Sequence, residues 1–336
     1  AHYNGSKWTN ITVDSSGVVG TFASIDVSTN VNPHIAYRDE SNTNLKYAYY
    51  NGSSWINMTL DGNWSDMDNV GEHVSLDLDS ANWPHIAYYN ATGGDLMYMY
   101  NDGMMWYKLT AHSTNNVGMH ASLALDSNDN PHIAHYNMQF QNLMYTSFDG
   151  GNWITESVDS EGRVGEHCAI AIDSMDLPHV AYIDSQDRPH ISYYSGDGVN
   201  SIKYAFKNNT GWHNYTIDSG TKLGWFSAIK IDSTDNPHIA YSKVNGNTLR
   251  YAMYDGSSWH TEDVGAQVGG DKKGLQLALS AADVPHLCYF DQNLLQLGYA
   301  TYSGSSWVKE IDVISDDLVI NSSLSRGRYC DIEVDQ

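Results

Sequence analysis

Apolar and polar side chains alternate along most of this chain. The stretch Ala23-Ser24-Ile25-Asp26-Val27 sets the pattern, and it recurs at 74–78, 121–125, 168–172, 227–231, 275–279 and 330–334. A polar turn follows each, and after the first six comes a second apolar run of the type Pro-His-Ile-Ala-Tyr. A third run starts at Leu45, Leu96, Leu143, Ile202, Leu249 and Leu297. A Gly-Ser type turn then leads to a fourth run that opens with tryptophan: Trp8, Trp55, Trp106, Trp153, Trp212, Trp259 and Trp307. Period-two alternation, β-branched and aromatic enrichment and short turns predict β-strands throughout. Proline is tolerated as the first residue of a strand, where its missing N–H lies outside the ladder. No stretch carries a helical period.

The four runs keep a fixed order. All seven prolines precede histidine, and six of these pairs, Pro33-His34, Pro84-His85, Pro131-His132, Pro178-His179, Pro237-His238 and Pro285-His286, mark one period. The seventh, Pro189-His190, falls inside the longest repeat. A period between 40 and 50 residues signals a propeller or a solenoid. Four antiparallel strands per unit, with almost no linker, describe a propeller blade; a β-helix needs shorter rungs.

The expected architecture is an all-β single domain over 1–336, with repeats at 21–60, 72–111, 119–158, 166–217, 225–264 and 273–314. The first and fourth runs occur seven times, the second and third only six times at the blade spacing. Six complete blades are therefore expected, plus a partial seventh in which 1–14 and 326–336 meet; a seven-bladed ring is favoured over a six-bladed one. Unpaired strand edges at Trp8 and Val13 and at Tyr329 and Ile332 are candidate assembly edges, with copies of the chain itself as partner.

Composition narrows the function. Acidic residues outnumber basic ones 40 to 17, for a formal net charge of −23. Nucleic-acid binding needs a basic footprint, so it is excluded, and anionic membrane surfaces are disfavoured. No apolar run approaches a membrane span, so no membrane insertion is expected. The chain enters inside a repeat without a starting Met and reads as processed or excised. Three cysteines, Cys168, Cys288 and Cys330, make no disulfide framework. Asn-x-Ser/Thr sequons occur at Asn4, Asn10, Asn51, Asn57, Asn63, Asn90, Asn208, Asn214 and Asn321. They point to an extracellular or cell-surface, glycosylated protein.

Candidate chemistry is sparse. Because they repeat, His34, His85, His132, His179, His238 and His286 are expected to be structural, each bonding a backbone carbonyl of its own blade. His73, His120 and His167 share one position in three consecutive first runs, and elsewhere that position holds Phe22, Phe226, Gly274 and Tyr329. These three are candidate ligands at the rim of a channel, with Glu72 and Glu166 beside them and a transition metal as one occupant. The Asp-rich turns 14–17, 61–68, 126–130, 159–162 and 232–236 are candidates for calcium. No metal is assigned, and no other cofactor is indicated. The repeated tryptophans are expected between blades. Trp64, Trp83 and Trp225 break the repeat and are candidate ligand platforms. No nucleophile elbow, zinc-protease motif or phosphate loop appears, so no catalytic residue is assigned.

The segments "DSNDNPHIAHYN", "NLKYAYYNGSSW" and "VDSEGRVG" resemble the repeats of secreted bacterial and archaeal β-propeller proteins. The turns "YNGSSW" and "YDGSSW" are similar to those of lectin-like propellers and, faintly, to the Asp-box turn of sialidases. No turn supplies the Asp-box order Ser-x-Asp-x-Gly-x-Thr-Trp. Arg38, Arg163, Arg188, Arg250, Arg326 and Arg328 form no recognisable sialidase triad. The reading favoured from sequence is a non-enzymatic extracellular propeller for self-assembly or adhesion. A glycan-binding lectin is the first alternative, and a propeller glycoside hydrolase or lyase the second.

Overall fold

The structure is a computed structural model that describes residues 1–3, 6–62, 68–186, 199–208, 210–221, 223–243, 248–267, 274–291, 296–311 and 331–332. Two short strands, β1 (His2–Tyr3) and β2 (Trp8–Thr9), pair near the N-terminus. Blade 1 is β3 (Val19–Val27), β4 (Pro33–Asp39), β5 (Asn44–Tyr50) and β6 (Trp55–Asp61). Blade 2 is β7 (Val70–Leu78), β8 (Pro84–Asn90), β9 (Asp95–Asn101) and β10 (Trp106–His112). Blade 3 is β11 (Val117–Leu125), β12 (Pro131–Asn137), β13 (Asn142–Phe148) and β14 (Trp153–Asp159). Blade 4 is β15 (Val164–Ile172), β16 (Pro178–Gln186), β17 (Val199–Asn208) and β18 (Gly211–Thr221). Blade 5 is β19 (Leu223–Ile231), β20 (Pro237–Lys243), β21 (Thr248–Tyr254) and β22 (Trp259–Gln267). Blade 6 is β23 (Leu275–Leu279), β24 (Pro285–Asp291), β25 (Gln296–Tyr302) and β26 (Trp307–Ile311).

Each blade is an antiparallel meander, and the six stand in a ring with their first strands innermost. A seventh four-stranded blade does not occur among the described residues. What the termini contribute there is specific. Trp8 lies edge-on to Tyr299 at 5.6 Å and donates to Glu310 in blade 6. Asp14, a few residues on, accepts from Tyr37 and pairs with Lys46 in blade 1. Asp331 accepts from the Ser24 hydroxyl and the Ile25 N–H. The rest of 326–336, Tyr329 included, falls outside the described residues.

The core is divided among blade interfaces. Ala36, Leu45 and Tyr47 of blade 1 pack on Val70, Leu76, Ile86 and Tyr88 of blade 2, and similar clusters follow around the ring. A strand alternates faces, so a blade sandwiched on both sides buries both sets of side chains. The tryptophans sit at these interfaces. Trp106, Trp153, Trp212, Trp259 and Trp307 each meet a tyrosine of the preceding blade edge-on, at 5.1 to 5.2 Å.

Close approach dictates the Val-Gly pair that opens the inner strands. Gly165 adopts φ +97°, and a Cβ there would lie 2.6 Å from Leu143 Cα in the preceding blade. Just beyond it the inner strand bulges, and His73, His120 and His167 adopt φ of 50° to 55°. Such φ values are costly for non-glycine residues and persist only where the surroundings impose them.

Candidate functional site

The repeated histidines are each engaged within their own blade, and the partner differs from the expected carbonyl. Each Nδ1 faces a tyrosine hydroxyl on the third strand of its own blade. The pairs are His34–Tyr47, His85–Tyr98, His132–Tyr145, His179–Tyr204, His238–Tyr251 and His286–Tyr299. In four blades Nε2 faces a turn carboxylate, as in His179–Asp173 at 3.0 Å. A carboxylate can only accept, so the proton sits on Nε2 and the tyrosine donates to Nδ1. Burial holds all six imidazoles below the ordinary histidine pKa.

The second histidine set does come together. Rings run Phe22–His73–His120–His167–Phe226 in one arc, with centroids 4.8, 4.4, 4.1 and 4.7 Å apart. Burial lowers all three imidazoles, His120 to about 4; the neighbouring histidines add to it at His73 and His167, and Arg38 and Arg163 add to it at His73 and His120. Glu72 is held by Arg38 at 3.1 Å and Glu166 by Arg163 at 2.5 Å. Among the described residues no group of three or more His, Cys, Asp or Glu side chains is arranged to hold a metal ion. Cys168 and Cys288 are buried; Cys330 lies outside the described residues.

Carboxylates in the turns are engaged by backbone. Asp126 accepts the N–H groups of Asn128 and Asn130, and Asp232 those of Thr234 and Asn236. Adjacent turns are clasped by Ser80–Asp129, Ser127–Asp176, Ser174–Asp235 and Ser233–Asp283 pairs. On the inner strands, Asp26 accepts from Leu78 N–H and Asp77 from Leu125 N–H. Burial, then the charge of Asp26, raises the Asp77 pKa well above the carboxylate range.

Asn10, Asn51, Asn57 and Asn214 are exposed. Asn90 is only 9% exposed and its Oδ1 accepts from Thr92 and Gly93, while Asn208 Oδ1 accepts from Thr210. Asn4, Asn63, Asn321, Trp64, Pro189-His190 and the side chain of Trp225 lie outside the described residues. Val13 is tied to blade 1, its carbonyl accepting from Asn57, and Ile332 donates to Asp331.

A groove missed from sequence lies between blades 3 and 4. Its volume is about 470 Å³, and Asp159, Glu161, Lys203, Asn214 and Tyr215 line it. Asp159 accepts from Tyr182 at 2.8 Å and Lys203 at 3.2 Å, which fixes one wall. Tyr215 is 48% exposed and stands parallel to Phe206 at 6.0 Å. The Asn214 amide donates to Val158 O. The groove thus offers a rigid ring face beside carboxylate, ammonium, amide and hydroxyl groups. Aligned repeats carry the signal: the Tyr215 position holds Met58, Leu109, Glu156, Glu262 and Glu310 in the other blades.

No protein family and no curated protein matches this sequence. Solved structures do match in fold. The SapL1 lectin in complex with α-methyl fucoside aligns over 87% of this chain and 96% of its own, with TM-score 0.56 and 12% identity. A PL25 ulvan lyase aligns over 84% and 81%, with TM-score 0.56 and 12% identity. A GH93 α-L-arabinofuranosidase of Fusarium graminearum with arabinobiose aligns over 85% and 91%, with TM-score 0.54 and 10% identity. At such identity the likeness shows the propeller fold alone. Among the described residues no helix is long and apolar enough to cross a membrane.

Proposed function

We propose that this protein is an extracellular, non-catalytic carbohydrate-binding propeller whose sugar site is the groove between blades 3 and 4. The observation that carries the reading is Tyr215, a half-exposed ring fixed against Phe206 and set among Asp159, Lys203 and Asn214. A pyranose presents one apolar face and a rim of hydroxyls. A flat ring with donors and acceptors around it meets both demands, and the volume falls in the range of small-ligand sites. Solved lectin and polysaccharide-acting propellers of similar fold support the substrate class. A glycan array followed by titration calorimetry tests it. The best glycan should bind Tyr215→Ala and Lys203→Met at least tenfold more weakly than wild type. An array without a binder, or equal binding by both variants, removes the reading.

A second reading, a propeller hydrolase or lyase, draws support from one observation. Asp26, Asp77 and Lys230 break the symmetry of the inner strands, and Asp77 holds its proton far above the usual carboxylate range. A carboxyl of that kind suits a general acid. Release of reducing ends from polysaccharide by wild type, abolished in Asp77→Asn, would establish it; silence on every glycan bound by the array would end it.

A further inference from the structure

The repeats are an internal control, because residues that serve the fold recur and residues added to it do not. On the face formed by the turns after the first and third strands, blade 2 departs most. Trp83 stands where blades 1 and 5 carry Asn32 and Asn236. Met104 and Met105 stand where they carry Ser53-Ser54 and Ser257-Ser258. Blade 3 also carries an asparagine at the Trp83 position, Asn130, and blades 4 and 6 the smaller Leu177 and Val284; blade 2 alone places an aromatic ring there, and blade 2 alone is apolar at both positions of the other turn.

These side chains are exposed: Trp83 41%, Met104 93% and Met105 55%. They also adjoin. A Cβ at Gly103, which adopts φ +87°, would lie 2.7 Å from a Trp83 ring carbon, so the indole rests on the turn that carries both methionines. The platform is rigid beneath. Asp79 accepts from the Trp83 N–H at 2.7 Å. Asp102 accepts from the N–H groups of Met104 and Met105, each at 2.9 Å, and from the Tyr107 hydroxyl at 3.0 Å.

We propose that this blade 2 turn face, built on Trp83, Met104 and Met105, docks an apolar peptide segment flanked by basic residues. Tryptophan and methionine are enriched where protein partners bury anchors, and methionine adapts to irregular apolar shapes. The rim is acidic, with Asp79, Asp102 and Asp129, on a chain of net charge −23. That charge complements lysine and arginine and opposes a second copy of the chain. A sugar fits poorly, because the turn carboxylates already hold backbone N–H groups. The site lies on the face opposite the turn residue Glu161 of the blade 3–4 groove, so it stands whether or not that groove binds sugar.

The test uses the full chain and the triple variant Trp83→Asn, Met104→Ser, Met105→Ser. It installs the residues of blades 1 and 5 and leaves every charge in place. The probes are two labelled dodecapeptides, one alternating Lys-Lys with Leu-Leu and one with Ser replacing Leu, followed by fluorescence anisotropy at physiological salt. Wild type should bind the Lys/Leu peptide at least tenfold more tightly than the Lys/Ser peptide. The triple variant, with its melting temperature retained, should lose at least tenfold for Lys/Leu, and Tyr215→Ala should lose nothing. The proposal is overturned if wild type ignores the Lys/Leu peptide, if it binds both peptides alike, or if the triple variant binds as well as wild type. It is also overturned if sedimentation shows a wild-type dimer that the variant lacks.

Discussion

One position in the second strand of each blade separates a satisfied hydroxyl from an orphaned one. Tyr37, Tyr88, Tyr182 and Tyr241 each donate to an aspartate that lies six residues after the preceding repeat tryptophan: Asp14, Asp61, Asp159 and Asp218. In blade 3 both partners change together, to His135 facing His112 with ring centroids 5.5 Å apart. In blade 6 the aspartate is replaced by Gly265, and the fully buried Tyr289 hydroxyl has no partner among the described residues. Removing that hydroxyl should therefore relieve a buried, unpaired polar group, worth about 1 kcal/mol or more. Removing the Tyr88 hydroxyl instead breaks a 2.6 Å bond to a carboxylate, at a cost of about 1.5–3 kcal/mol. At about 2 cal/mol/K of unfolding entropy per residue, 1 kcal/mol moves the melting temperature of a chain of 336 residues by about 1.4 °C. Tyr88→Phe should melt about 2–4 °C lower than wild type, and Tyr289→Phe about 1–2 °C higher. Differential scanning calorimetry on the three proteins reads the difference directly. If Tyr289→Phe loses as much as Tyr88→Phe, the blade 6 hydroxyl has a partner and the repeat-by-repeat reasoning fails.

Other outcomes follow from the same interfaces. Burial keeps His120 neutral down to about pH 4 and His135 to about 3. A base with a depressed folded pKa stabilises above its unfolded value near 6.5 and loses that stability as pH falls toward the folded value, by roughly 1.4 kcal/mol for each unit of depression. Asp331, raised to about 6, and Asp77, raised to about 7, both chiefly by burial, act oppositely, gaining stability as pH falls toward 4, but the buried histidines outnumber them. Urea titrations should therefore show stability dropping between pH 6.5 and 4, and His120→Phe, the residue type of Phe22 and Phe226, should flatten the drop. An unchanged slope would contradict the neutral arc. Gly165→Ala should cost more than about 3 kcal/mol or abolish folding, because its Cβ meets Leu143 backbone. Gly150→Ala, at φ +90° in open space, should cost only about 1 kcal/mol; circular dichroism melts that rank them the other way would refute the packing argument. Asp331→Ala should loosen blade 1 by about 2 kcal/mol, read as faster hydrogen exchange at Ile25 than at Leu76; equal rates would mean the C-terminal contact contributes nothing.

The sequence by itself determined the blade. Alternating runs with Pro-His and Trp at fixed places define four strands, because strand periodicity and turn chemistry are local properties. It also marked the Pro-His imidazoles as one position repeated in six blades. What it left open concerned neighbours in space. The tyrosine that each Pro-His imidazole meets is set by strand register across the blade. The His73–His120–His167 arc and the Asp159–Lys203–Tyr215 groove join residues of different blades, whose distances depend on how the ring curves. Likewise, Trp83 is only an irregular tryptophan in the text, and it becomes a platform once the Gly103 turn folds beneath it. Local order follows from residue periodicity; convergence between blades follows from the closure of the ring, which no single repeat encodes.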